Sequence, residues 1–435
     1  MSTKPETGAL LEHLFRREAG RMVAHLTRLL GSARLELAEE SVQTAMVRAL
    51  ETWPYQGVPD NAAAWLFRVA RNAALDVVRR DRMIGEKSDA VTMEMARSSR
   101  WAAPGDPDFE EQLRDDELRL IFMCCHPEIS QDSRVALSLK TVGGFSVREI
   151  ARAFLADDAA VAQRLVRAKR QIRERQLTLE MPGGNELGAR VDTVLEAIYL
   201  MFNEGYTAHE GEDLIRRELC FEALRLGRLV AESCISSPQV HALVAMMALQ
   251  ASRLGARTDS HGDLVLLEDQ DRSRWDRGLL AMGFHHFDLA IAGEAVSEYH
   301  VQAAIAATHA RAAAGGEVDW AVILQLYDQL VAMSGSPVAA LNRAVAVAKA
   351  RGAAEGLAEV DRLAGDAKLR HYYLLLAVRA HLLLELGRKV EAAECYRAAL
   401  ELRCSEPERR FLRRKLEECE ANDTILRGDE LRDVL

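Results

Sequence analysis

Leucine, alanine, arginine and glutamate recur at three- and four-residue spacing over almost all of this 435-residue chain, and only 10 prolines interrupt them. This periodicity is the strongest constraint on the fold. Apolar positions at i, i+3, i+4 and i+7 line one face of a helix and cannot line one face of a strand. Aromatic residues make up 6% of the sequence and Val/Ile/Thr alternation is scarce, which argues against a large sheet. Hydrophobic residues at 49% exclude a mainly disordered chain, and the length implies roughly two to four domains. The expected fold class is all-α.

No apolar run reaches the roughly 18 residues of a membrane helix. The longest candidate, near Val240–Leu249, is interrupted by His241. Residues 1–20 carry charges throughout and lack the apolar stretch of a secretory signal. Seven cysteines, an odd number with no C-x-x-C pair, fit neither a disulfide framework nor a zinc module. The expectation is a cytoplasmic protein with no cofactor, no metal and no membrane partner. A formal net charge of −10 argues at first against nucleic acid, but the charge is unevenly spread. Residues 1–180 hold 27 Lys+Arg against 27 Asp+Glu, whereas residues 181–435 hold 29 against 39. The acidic excess therefore belongs to the second part alone.

Turn chemistry and composition divide the chain into 1–82, a linker 83–117, 118–180 and 186–435. In the first segment a helix is predicted from Leu37 to Trp53, ending at Pro54. Residues Tyr55–Asn61 read as a loop, and Asn61 caps a helix Ala62–Arg82 with a basic end. Residues 83–117 contain Gly85, Pro104, Gly105 and Pro107, with ten acids against four bases, and read as a flexible acidic linker. After Gly143-Gly144, Ser146 starts a short helix, and Asp157-Asp158 caps another, Ala159–Arg175. Pro182-Gly183-Gly184 marks the next boundary. In the last segment Gly387, Ala392, Tyr396 and Ala399 have the spacing of a tetratricopeptide repeat. Gly356, Val360 and Leu363 stand 36 residues before the last three of these, so the reading is either a degenerate repeat or generic helix pairs.

Two short helices joined tightly around residues 146–175 form a helix-turn-helix pattern. The second carries Arg164, Arg167, Lys169, Arg170, Arg173 and Arg175 against one acid, Glu174. Such a helix can lie in the major groove with early residues on base edges and later cations on phosphates. An ordinary solvated charged face is the alternative. The stretch Trp65 to Arg82 combines five arginines and Asn72 with nearby Trp53, Tyr55 and Trp65. That combination suits single-stranded DNA, with guanidinium for phosphate and rings for unstacked bases. Trp65 and Phe67 read equally as core.

Residues Leu37–Met46 (LAEESVQTAM) and Ala64–Asp76 (AWLFRVARNAALD) resemble region 2 of extracytoplasmic-function sigma factors. Ser146–Ile150 with Val161–Arg170 (VAQRLVRAKR) resembles their region 4. The segments Phe202–Tyr206, Leu266–Arg272 and Leu341–Ala346 resemble a subgroup with a long tetratricopeptide-type extension, so the likeness spans nearly the whole chain. It implies two small helical sigma domains, a linker and a helical-repeat domain. Glu39, Glu40 and Gln43 then stand where region 2 meets the polymerase β′ clamp. The Tyr55–Asn61 loop, with Tyr55, Gln56 and Asn61, stands where a flipped base of the −10 element is held. Arg68, Arg71, Asn72, Asp76, Arg79 and Arg80 lie on the −10-facing helix. Gln163, Arg164, Arg167, Lys169 and Arg170 match the −35 recognition helix. The chain departs from the family where Leu37 and Thr44 replace acids. Asp76 is either a DNA-facing residue or the partner of a neighbouring arginine.

The implied function is that of an alternative sigma factor, not an enzyme. It would bind bacterial core RNA polymerase through the β′ clamp and β flap, recognise both promoter elements and promote melting, with regulation by the C-terminal extension. No catalytic residue is needed, because capture of unpaired bases stabilises the melted state. A helix-turn-helix regulator acting outside the holoenzyme and a tetratricopeptide-type adaptor are the alternatives. Other clusters read as structural. Cys124-Cys125-His126 is expected to hold buried thiols, and His285-His286 to sit in a turn. Asn203–Tyr206 with His209 is expected to form a capped turn. Glu268, Asp269 and Asp271 are expected to start a helix and to pair internally with Arg272 and Arg274.

Overall fold

Leu66, Ala70, Ala74 and Val78 stand four residues apart along one helix and all four are buried. Facing them are Leu35, Ala38, Val42, Ala45, Met46, Ala49 and Trp53 of the preceding helix, again spaced by threes and fours. A computed structural model describes residues 18–83, 107–154, 156–206, 215–312 and 316–430. Helix α1 covers 18–30, α2 Leu35–Gln56 and α3 Ala62–Met83. The chain is all-α: among the described residues there is no strand, only an isolated bridge between Thr258 and Leu264. It divides into two compact units, Met1–Met201 and Phe202–Leu435.

Helix α2 runs through Pro54 rather than ending there. Proline lacks the N–H of an internal helix bond, but in the final turn only one such bond is forfeited. Gly57, at φ +85°, then ends the helix by donating its N–H to the Trp53 carbonyl at 3.0 Å. Tyr55 and Gln56 therefore belong to the last turn of α2, and the loop proper is residues 57–61. Asn61 caps α3 as expected, its Oδ1 accepting the Ala64 N–H at 2.9 Å.

The predicted flexible linker needs correction over 107–117. These residues form most of helix α4, Pro107–Cys124, while residues 84–106 lie outside the described residues. Phe109 and Leu113 of α4 are buried, and the Phe109 ring packs edge-on against Phe67 and His25. The acids meet a cationic stripe on α1. Asp116, itself buried, accepts from His25 Nδ1 at 2.9 Å and pairs with Arg28 Nε at 2.9 Å, and Glu110 pairs with Arg21. Acidic composition mimicked a solvated linker because the neutralising partners lie some 90 residues earlier in the sequence.

Helices α5 (Gln131–Thr141), α6 (Val147–Ala153) and α7 (Asp158–Glu174) follow. A reciprocal capping box starts α6: the Glu149 N–H donates to Ser146 Oγ at 3.1 Å and the Ser146 N–H to Glu149 Oε2 at 2.8 Å. Val161, Leu165, Ala168 and Ile172 bury one side of α7. Helix α8, Leu187–Tyr206, begins near the expected boundary, but its first half belongs to the first unit. Arg190 Nη2 donates to the Phe122 carbonyl at 2.8 Å, and Val191, Val194, Leu195 and Ile198 are buried. Asn203–Tyr206 forms the last turn of α8 rather than a capped loop, and His209 lies outside the described residues.

The second unit continues with α9 (Arg217–Ala231), α10 (Pro238–Ala251), α11 (Arg277–Ala290), α12 (Glu298–Ala312), α13 (Trp320–Ser334) and α14 (Pro337–Arg351). Then come α15 (Ala353–Leu363), α16 (Tyr373–Glu385), α17 (Lys389–Leu400) and α18 (Glu406–Glu430). Consecutive helices pack as neighbours from α9 onward. Ser237 and Ser336 cap helices that begin with proline, and Asp276 and Asp319 cap two more. A Cβ on Gly356 would stand 2.4 Å from Ala348 Cβ, so α14 and α15 approach more closely there than any larger residue permits. His285 and His286 lie inside α11, not in a turn, and His286 Nδ1 meets His241 Nδ1 at 2.8 Å. The acids after Leu267 also differ from expectation. They lie on short 3-10 turns, and Glu268 pairs with the distant Lys349 at 2.8 Å.

Candidate nucleic-acid interface

With Leu66, Ala70, Ala74 and Val78 turned inward, α3 presents Arg68, Asn72, Asp76, Arg79 and Arg80 to solvent, and Arg71 is half-buried. Four of these six are arginines, so one helix face is cationic and free of large apolar groups. Asp76 lies 4.0 Å from Arg79, an exposed i, i+3 pair. Such a pair contributes only about 0–1 kcal/mol and does not hold Arg79 away from a phosphate. At the adjoining end of α2, Tyr55 is 76% exposed while Trp53 is buried. Trp53 and Trp65 pack edge to face at 5.4 Å, so Trp65 is part of the packing and Tyr55 is the ring left free to stack. Gln56 and Asn61 are exposed beside it.

On α7 the inward stripe leaves Gln163, Arg167 and Arg170 exposed and Arg164 partly exposed. Arg170 approaches Glu174 at 3.6 Å, one turn on, with both side chains in solvent. The Ser146 capping box fixes the start of α6, and α6 packs against α7. A helix carried this way can enter a groove as a rigid body.

The α2 residues split. Glu40 and Gln43 are exposed, but Glu39 is turned inward and only 8% exposed. Its Oε1 accepts from Thr141 Oγ1 at 3.0 Å, and its Oε2 pairs with Lys169 of α7. One residue from each of two expected binding surfaces is thus occupied by the other. A sequence reading has no means to see this contact, since Glu39 and Lys169 are 130 residues apart. Gly20 was a missed signal: a Cβ there would stand 1.9 Å from the Val142 carbonyl oxygen, so α1 rests against the end of α5. A glycine inside an apolar helical pattern marks such an approach. Burial lowers the Lys140 ammonium below its usual value, with Glu39 opposing the shift.

The remaining clusters carry no chemistry of this kind. Cys124 and Cys125 are buried as expected. Burial pushes both thiols up, Cys125 to about 11, despite its contact with Ser138 Oγ at 3.5 Å. Among the described residues no group of three His, Cys, Asp or Glu side chains is placed to hold a metal ion. Nor, among those residues, is any helix long and apolar enough to cross a membrane.

Residues 14–83 match the family described as Sigma-70 region 2, and residues 119–172 match Sigma-70, region 4. The chain belongs to the sigma-70 family. Its two sigma domains carry the outward faces of α3 and α7, and they indicate a transcription initiation factor. Residues 190–291 match a family of unknown function (DUF6596), so the first part of the extension is a type shared with other proteins. This sigma factor is 39% identical over 401 residues to an uncharacterized protein of Rhizobium meliloti (strain 1021), covering 92% of this chain and 93% of that one. The likeness therefore extends through both sigma domains and the extension. No solved structure matches.

Proposed function

We propose that this chain is a sigma factor of the extracytoplasmic-function type, acting in the cytoplasm. In this reading it binds core polymerase through the exposed side of α2, with Glu40 and Gln43 at the β′ clamp, and through region 4 at the β flap. Arg68, Arg71, Asn72, Arg79 and Arg80 track the phosphates of the −10 strand, and Asp76 orients Arg79. Tyr55, with Gln56 and Asn61, holds an unpaired base. Each stacked base contributes about 1–3 kcal/mol to the melted state. Gln163, Arg164, Arg167 and Arg170 read and anchor the −35 duplex, where a good bidentate base contact is worth about 1–3 kcal/mol.

The observation that carries the reading is a pair of outward cationic helix faces, α3 and α7, on the two segments that match regions 2 and 4. The buried Glu39–Lys169 pair supports a refinement. The free chain rests in a closed form, and binding core polymerase releases Glu39 for the clamp and Lys169 for the −35 phosphates. The extension is read as tetratricopeptide-like and regulatory. The close approach at Gly356 and the buried Ala392, Tyr396 and Ala399 favour paired repeats of that kind.

Gel retardation of a promoter fragment at physiological salt tests the reading. Retention is expected only when core polymerase is present. Tight, sequence-specific retention by the chain alone would instead establish a regulator that works outside the holoenzyme.

A further inference from the structure

The second unit holds a half-open cavity of about 730 Å³ that none of the sigma-factor roles uses. Its volume falls within the roughly 300–1,000 Å³ of sites that hold drug-sized molecules. The walls come from the 264–275 and 316–318 segments and from helices α12, α13, α14, α16, α17 and α18. The Leu266–Arg272 stretch, unexplained by DNA or polymerase contacts, forms one of these walls.

Six aromatic residues, Trp275, Trp320, Tyr327, Tyr373, Tyr396 and Phe411, line it together with Leu, Val and Ala side chains. Trp275 is 4% exposed and its indole N–H has no hydrogen-bond partner. That N–H is itself out of reach of the cavity, so Trp275 offers a ligand its ring alone. Most charged groups on the wall are already engaged. Lys349 pairs with Glu268 at 2.8 Å and Glu385 at 3.9 Å, and Glu385 also meets His381 at 3.1 Å. Buried Glu408 accepts from the Ser405 N–H and Oγ, both at 2.8 Å. Arg272 is spent on the Ala312 carbonyl at 2.6 Å. His309 lies edge-on to Trp320, its ring centroid 5.5 Å away. Burial, with Arg253 and Arg272 adding repulsion, lowers its imidazole to about 4, so it is neutral at physiological pH. Four acids (Glu268, Glu317, Glu385, Glu408) then face two cations (Arg272, Lys349). The site repels anions and tolerates a positive charge, which aromatic faces also favour.

We propose that this cavity is a binding site for a flat aromatic small molecule, neutral or singly cationic. The ligand stacks between the aromatic walls, and its charge, where present, lies toward Glu268 and Glu317. The site belongs to the extension alone and stands independently of the promoter-binding reading.

Titration of the full chain with berberine, a planar cationic aromatic, and with anilinonaphthalene sulfonate, an aromatic anion, tests the proposal. Dye fluorescence and quenching of the chain's tryptophans are the readouts. Saturable one-to-one binding of berberine is expected, at least about tenfold tighter than that of the sulfonate. Ala377→Trp fills the cavity, and Asn342→Trp blocks it from an exposed position where folding is not at stake. Each should weaken berberine at least about tenfold with unchanged far-ultraviolet circular dichroism. Absence of saturable berberine binding, preference for the sulfonate, or binding unaffected by Asn342→Trp would each overturn the proposal.

Discussion

Glu39 of α2 and Lys169 of α7 form a largely buried ion pair that joins the domain matching region 2 to the domain matching region 4. Thr141 Oγ1 completes the site by donating to the other carboxylate oxygen at 3.0 Å. Burying two charges is unfavourable unless geometry and extra hydrogen bonds compensate, so the contact is specific rather than strongly stabilising. In the proposed function this pair is the contact that core polymerase opens.

Gly20→Ala tests that closure without touching either proposed binding surface. The added methyl would stand 1.9 Å from the Val142 carbonyl oxygen, which is backbone and cannot rotate away. The domains must separate locally, and affinity for core polymerase should rise severalfold, measured by fluorescence anisotropy with labelled chain. Unchanged or weaker affinity in a folded variant would count against the closed form.

Asp116 fixes α4 to α1. Asp116→Ala takes the shared carboxylate from buried His25 and partly exposed Arg28 and should destabilise the first unit by about 1–3 kcal/mol, read from urea unfolding. An unshifted midpoint would return residues 107–117 to the status of a loose linker.

Tyr55→Ala should reduce promoter melting, read by permanganate reactivity of unpaired thymines, by the equivalent of about 1–3 kcal/mol. Tyr55→Phe should retain it, since stacking needs the ring and not the hydroxyl. Equal loss in both variants would contradict a stacking role. Arg167→Ala should lower binding of the polymerase complex uniformly across −35 sequences and reduce the salt slope by about 1.

Burial raises the Glu204 carboxyl from 4.5 to about 7, with Arg216 opposing. Because the folded value is the higher one, the stability it contributes is full below the unfolded value of 4.5 and is lost as pH rises toward about 7. Glu204→Gln should therefore raise the melting temperature of the second unit near pH 8 and leave it little changed near pH 4. The gain is bounded by about 3 kcal/mol. An equal effect at both pH values would show that the carboxyl does not titrate with folding.

The inward stripes of α3 and α7 were legible because their period is local: once Leu66, Ala70, Ala74 and Val78 are buried, Arg68, Asn72 and Asp76 must face out. The capping signals of Asn61 and Ser146 were legible for the same reason. Long-range pairing was not. The acids of 107–117 look solvated until Arg21, His25 and Arg28 are brought beside them, and Glu39 looks like a surface residue until Lys169 covers it. Pro54 does not end α2, since a proline in a final turn forfeits little. The cavity was illegible because its walls come from six helices and two irregular segments spread over roughly 150 residues.

Run-off transcription with purified bacterial core polymerase, on the promoter preceding the chain's own gene, tests the central claim most directly. Transcript should appear only when core and the full chain are both present, and should fall at least about tenfold with Arg164→Ala, the loss of one good base contact. No transcript, together with no association between the chain and core polymerase, would contradict the account.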